Sequence, residues 1–365
     1  MKVAVLTSSR ADYAGIAPLL KALKKEPRMQ VSVIAFGTHA SVFHGKTVSN
    51  IIADGYQVDY LIESMLLGDS PEAIASAMGL TMVKFSGIWA GSSYNLIITT
   101  GDRYEMFAAA AAALPFNIKI AHIHGGEDTE GAIDNVFRHS LSLMATYNFT
   151  TTEYYRQRVA VIKNSDKNVY NTGALSIDAM KMTPLLTPAE FESRFNISIR
   201  GPYVLITIHP ETASLKENKG HIKEFINALK KLKKYRLIIT MPNADPMGNY
   251  YRQKLHEFIA RSENAVGVES FGNAGYFTCM KYCSFLLGNS SSGFVEASFF
   301  PKKVINVGNR QKGRLVSENI VCCDNSENGI LEAVQKVEKM PPPAPVKLYG
   351  NGHAAKGIVK ALKSI

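Results

Sequence analysis

Short apolar runs alternate along the chain with longer stretches in which apolar residues recur at helical spacing. In the first half the runs are 3–6 (VAVL), 31–36 (VSVIAF), 96–99 (LIIT), 118–123 (IKIAHI) and 147–150 (YNFT). In the second half they are 203–208 (YVLITI), 237–240 (LIIT), 265–269, 284–288 (SFLLG) and 303–307 (KVINV). Continuous rather than alternating runs suit strands buried on both faces of a parallel sheet. Helical patterns lie between them, at 103–113, 134–145 and 221–234 among others. This is the order of βαβ units, and two such series predict two doubly wound α/β domains with a cleft between them. The polar, proline-containing stretch 183–202 separates the series, and "MPPPAPV" (340–346) closes the second. The expected division is 1–180, 181–345 and a final helix within 346–365.

Composition adds a few limits. A chain of 365 residues suits about two domains. Its 46% apolar and 20% charged content is ordinary for a water-soluble globular protein. No continuous apolar run approaches the ~20 residues of a membrane span. The opening "MKVAVLTSSR" is too short in its apolar part for a secretory signal and reads as a strand, so a cytoplasmic protein with no membrane partner is expected. None of the four cysteines forms a Cys-x-x-Cys pair, and Cys279 and Cys283 read as core residues. The formal charge of +10 fits an anionic ligand. Much of the excess sits in "KKLKKYR" (230–236), which reads as a solvated helix end, where cations suit the dipole. It lacks the interleaved aromatics of a base-stacking platform, so no nucleic-acid partner is expected.

Ligands of open α/β sheets bind beyond the carboxyl ends of the strands. That rule singles out Ser8, Ser9 and Arg10 in "TSSRADY", before a helix expected near Tyr13. It also singles out Asp102 and Arg103 in "TTGDRYEMF" and His209 after 203–208. Asn243 follows 237–240, and Ser290 and Ser291 lie in "GNSSSG". An arginine at such a turn forks onto phosphate, and serines at a helix start with free N–H groups hold phosphate oxygens. Taken alone, Asp102 reads first as a helix N-cap, with a base as the alternative. There is neither a Walker loop nor a G-x-G-x-x-G after the first run, which disfavours a P-loop enzyme or a nicotinamide dehydrogenase.

The densest stretch is "HIHGGEDTEG" (122–131), with two histidines and three carboxylates. On a strand, His122 and His124 would face the same way and could share a metal ion. Without a third spaced ligand that signal is weak, and no metal is assigned. Glu127, Asp128 and Glu130 fall on a glycine-led loop, and Asp134 opens a helix that carries Arg138 and His139.

Seven motifs in order, "SSRADY", "GDRYE", "HIHGGE", "AID…RH", "HPET", "GNSSSG…E" and "NVGNRQKGR", resemble the hydrolysing UDP-N-acetylglucosamine 2-epimerases of bacterial sialic-acid biosynthesis. The resemblance runs from about residue 1 to 357. It implies two Rossmann-like domains of GT-B type, the first with the acid/base residues and the second with the UDP site. It also implies conversion of UDP-N-acetylglucosamine and water to N-acetylmannosamine and UDP through a 2-acetamidoglucal, with no cofactor. Asp102 and Asp134 match catalytic aspartates. The position of His124 is a glutamate in some members, so the third proton-transfer group is His124 by position or Glu127 three residues on. His209 matches a histidine near the diphosphate. Arg10, Arg103, Asn243, Ser290, Ser291, Glu296 and Arg310 match positions that hold UDP, Glu296 on the ribose. A UDP-sugar is the expected partner, in a homo-oligomer of two or four chains. The same chemistry on a UDP- or GDP-linked 2,4-diacetamido-trideoxyhexose, a non-hydrolysing epimerase and a silent nucleotide-sugar-binding module are the rival readings. "SSRADY" in place of a "GTRPE"-like turn argues against the non-hydrolysing type, and intact Asp102 and Asp134 argue against the silent one.

Overall fold

The computed structural model describes residues 1–243 and 245–364. Among these residues the strands form two sheets, and every pairing within them is parallel. The first sheet holds β1 (Lys2–Thr7), β2 (Gln30–Phe36), β3 (Tyr60–Ile62), β4 (Leu96–Thr100), β5 (Lys119–Ile123), β6 (Tyr147–Thr150) and β7 (Val169–Asn171). Its order is β3-β2-β1-β4-β5-β6-β7. The second holds β8 (Tyr203–Thr207), β9 (Arg236–Thr240), β10 (Ala265–Val268), β11 (Phe285–Gly288), β12 (Val304–Val307) and β13 (Ile320–Cys323), in the order β10-β9-β8-β11-β12-β13. Both are doubly wound sheets whose order reverses beside the first strand, between β1 and β4 and between β8 and β11.

Every expected strand is present. β3, β7 and β13 are additions at sheet edges, only three or four residues long. The central strands are buried throughout, as their continuous apolar runs require.

The chain divides into two compact units whose borders differ from a simple cut at 180 and 345. Unit 1 is Met1–Glu127, Asp134–Ala179 and the chain from Leu348 onward; unit 2 is Asp128–Ile133 with Met180–Lys347. The last helix, Ala354–Lys363, therefore belongs to unit 1 rather than standing apart. Its Ala354, Ala355, Ile358 and Leu362 form a buried stripe in the same core as Ile16, Leu19, Leu20 and Leu23 of the helix Arg10–Leu23. An amphipathic helix needs such a face to cover.

The segment 128–133 is stitched into unit 2. Glu130 N–H donates to Lys312 O at 3.0 Å, Ala213 N–H to Gly131 O at 3.2 Å, and Ile133 N–H to Thr212 Oγ1 at 2.9 Å. A Cβ on Gly131 would stand 2.3 Å from Asn309 O, so only glycine permits that approach.

No continuous run of membrane-spanning length stands out in the sequence, yet the helix Pro71–Ala90 is long and apolar enough to span by length and composition. Glycine, serine and threonine break up its apolar residues, while only Glu72 and Lys84 are charged. In unit 1 it packs through Phe85 and Trp89, whose indole N–H donates to Ala109 O at 3.1 Å, and it leaves Leu80, Met82 and Val83 exposed.

Candidate active site

At the end of β1, Ser9 caps the helix Arg10–Leu23, accepting from Asp12 N–H at 3.3 Å. Asp12 folds back to accept from the Ser8 backbone (3.1 Å) and hydroxyl (2.7 Å). This reciprocal cap starts the helix at Arg10, not near Tyr13. Arg103 lies buried behind it, its Nε 2.8 Å from Glu105. Burial pushes the Asp12 and Glu105 carboxyls up, and the Arg103 charge pulls them partly back.

Asp102 follows the strand-end Gly101 but does not cap the next helix. That helix is Tyr104–Ala111, with Arg103 in the cap position and no side-chain cap. Asp102 pairs instead with Arg138.

The stretch 122–131 resolves residue by residue. His122 is fully buried at the end of β5. Its Nε2–H donates to Gly101 O at 2.7 Å, so its Nδ1 accepts from Ser142 Oγ at 3.1 Å. Burial pushes its pKa down to about 4, which keeps the ring neutral. His124 leaves the strand with φ of +67°, its N–H donating to Phe149 O at 2.8 Å. The alternation that would aim both imidazoles at one ion ends there. Gly126 continues the turn at φ +77°, and a Cβ on it would stand 2.5 Å from Tyr155 O. The next residue, Glu127, is buried. Its Oε1 accepts from Thr151 Oγ1 at 2.9 Å and its Oε2 from Arg138 Nη1 at 3.0 Å. Arg138 Nη1 also approaches His124 O at 3.3 Å. Asp134 is the first residue of the helix Asp134–Met144, one turn before Arg138.

In unit 2 the ends of β8 and β11 are clasped. His209 N–H donates to Asn289 Oδ1 and Asn289 Nδ2 donates back to His209 O, each at 2.8 Å. Asn243 N–H donates to His209 Nδ1 at 3.3 Å, which assigns the ring hydrogen to Nε2. Asp245 stands 3.9 Å from the same Nδ1 and 3.4 Å from Arg310 Nη2. Ser290 caps the short turn Ser291–Gly293, and the exposed Ser291 follows it. Glu296 opens the helix Glu296–Phe299. Glu211, in "HPET", is buried and accepts from Asn309 N–H (2.8 Å) and Asn325 Nδ2 (2.7 Å), which fixes the base of the loop carrying Arg310.

A sequence model of UDP-N-acetylglucosamine 2-epimerases matches residues 21–363. The chain belongs to the UDP-N-acetylglucosamine 2-epimerase family. Relatives in the family include the hydrolyzing GDP/UDP-N,N'-diacetylbacillosamine 2-epimerase of Campylobacter jejuni, 31% identical over 92% of this chain and 87% of the relative. The hydrolyzing UDP-N,N'-diacetylbacillosamine 2-epimerase of Legionella pneumophila is 28% identical over 100% and 96%. Among solved structures, the Neisseria meningitidis UDP-GlcNAc 2-epimerase bound to UDP-GlcNAc superposes with a TM-score of 0.84 at 19% identity, covering both chains fully. The two-domain, GT-B-like fold implied by the motifs is thus that of the epimerase family.

Within this epimerase fold the residues singled out from sequence fall into two sets, each at the carboxyl strand ends of its own unit. Asp102, Glu127 and the His124 carbonyl meet Arg138 in unit 1, with Asp134 one turn earlier on the same helix, while Arg10 and Arg103 flank β1 and β4 there. His209, Asn243, Ser290, Ser291, Glu296 and Arg310 lie in unit 2. Sequence reasoning did not weigh Thr151, Asn289 or Glu211, and it noted Arg138 only as a neighbour of Asp134. A buried-face arginine one turn after a helix-opening aspartate, and an asparagine after a strand-end glycine, are the signals that mark two of them.

Proposed function

We propose that this family member is a hydrolysing epimerase, turning a UDP-linked 2-acetamido sugar and water into UDP and the free sugar inverted at C2. The observation that carries this reading is the likeness, over 92% and 100% of the chain, to two relatives named as hydrolyzing 2-epimerases. The meeting of Asp102 and the His124 backbone at Arg138, at the ends of β4 and β5, supports it.

In the first step a base takes the C2 proton, the electron pair forms C1=C2, and the C1–O bond breaks to release UDP. Water then adds to the glycal, its oxygen to C1, while C2 takes a proton on the opposite face. Asp102, Asp134 and His124 carry the proton transfers, which need groups within hydrogen-bond reach of the sugar. In unit 2 the Nε2–H of His209 is a donor suited to the leaving diphosphate, helped by Arg310, Asn243, Ser290 and Ser291. By the positions they match in the motifs, Arg10 and Arg103 take phosphate oxygens, and Glu296 takes the ribose hydroxyls. The first substrate to test is UDP-N-acetylglucosamine. A second reading, the same chemistry on a UDP-linked 2,4-diacetamido sugar, is favoured by the names of the two relatives.

Incubation with each UDP-sugar in deuterated water, followed by proton NMR, tests both. Free 2-epimer deuterated at C2, together with UDP, is the expected product. Consumption of only the diacetamido sugar selects the second reading, and return of an intact UDP-linked epimer rejects hydrolysis. Asp102→Asn is expected to slow turnover at least about 100-fold with UDP affinity near wild type. Lost UDP binding would instead mark Asp102 as structural.

A further inference from the structure

We propose that Glu127 and Thr151 are positioning residues that aim Arg138, and through it Asp102 and the backbone at His124. The inference rests on the epimerase reading above and assigns Glu127 a role other than proton transfer.

Depth within the cluster supplies the argument. Side-chain exposure is 3% for Glu127, 4% for Arg138 and 21% for Asp102. Asp102 is therefore the carboxylate that reaches out, and Glu127 lies behind the guanidinium. Both Glu127 oxygens are engaged, Oε1 by Thr151 at 2.9 Å and Oε2 by Arg138 at 3.0 Å.

A guanidinium is planar, and its donors point in fixed directions. Holding Nη1 between Glu127 Oε2 and His124 O sets the plane and so fixes where Nη2 meets Asp102. Thr151 follows β6 and Glu127 follows the turn after β5, so the clamp ties two strand ends behind the reacting groups. Without Glu127, Nη1 would keep only the carbonyl at 3.3 Å, and Asp102 would lose its fixed approach. Placement errors near 1 Å cost about 100-fold in rate.

The test compares Glu127→Gln, Thr151→Val and the double variant with wild type, by kcat, KM, UDP affinity and the pH profile of C2 exchange. Wild-type exchange is measured first, because a silent wild type sinks the epimerase reading before any variant is compared. With an active wild type, Glu127→Gln is expected to lower kcat roughly 10- to 100-fold, with KM and UDP affinity within about twofold and both limbs of the pH profile kept. Thr151→Val should lower kcat by less, and its effect should vanish in the Glu127→Gln background, since it acts through that carboxylate. If Glu127→Gln does not fold, the Thr151→Val split of kcat from KM decides alone. A missing pH limb together with loss of exchange as complete as in Asp102→Asn would make Glu127 a proton-transfer group and overturn the proposal. Unchanged kcat, or additive losses in the double variant, would overturn it as well.

Discussion

Burying an imidazole strips hydration from its charged form, and His122 is fully buried with both ring nitrogens committed to Gly101 and Ser142. Its pKa falls from 6.5 to about 4 on folding. The unfolded chain therefore binds more protons between those values. The stability this ring contributes is complete above about pH 6.5 and fades as pH falls toward 4. The size is on the order of 3 kcal/mol. His39, held between Thr7 and Thr47, follows the same rule. Asp12 and Glu105, pushed upward by burial, act in the opposite sense, so total acid stability mixes the two. A Gln at 122 keeps a donor for Gly101 and does not titrate. The stability difference between wild type and His122→Gln, from urea unfolding at pH 7 and pH 5, should move in the variant's favour as pH falls. A difference constant with pH would mean that the buried ring titrates like an exposed one.

At the scale of elements, the helix Ala354–Lys363 is fastened at its start and along its side. The Asp178 carboxylate accepts from Ala354 N–H and Ala355 N–H, each at 3.0 Å, and Ile358 is fully buried. Ile358→Ala should cost about 2–5 kcal/mol in urea unfolding, the range for emptying a packed core site. A loss below about 1 kcal/mol would show that this face is not packed as described.

Other elements were readable to different degrees. The central strands were legible because burial on both faces demands unbroken apolar runs. β3 and β7 were not, because three residues at an edge leave too short a run to see, while β13 carries a four-residue apolar run, IVCC, that was passed over. The apolar helix Pro71–Ala90 escaped notice because its small polar residues hide its composition. In the site, position in motifs pointed to Asp102, His124 and Asp134. The Glu127–Arg138–Thr151 arrangement lay outside that reach, since it depends on which strand ends the sheet brings side by side.

For the whole molecule, neither unit is a continuous stretch of chain. A fragment of residues 1–180 lacks the helix that covers Ile16, Leu19 and Leu23, and its segment 128–133 loses the partners at 212, 213 and 312. Expressed alone, it should aggregate or show poorly dispersed amide signals by NMR. Well-dispersed signals and a sharp cooperative melt from that fragment would contradict this.

The late helix also sets a clock. The helix Arg10–Leu23 is made early, but residues 354–363, which finish its core, follow the whole of unit 2. At roughly 5–20 residues per second, the wait is on the order of half a minute. For that time a growing chain carries an open leucine- and isoleucine-lined face, so its yield in a cell depends on what shields that face before the last helix arrives.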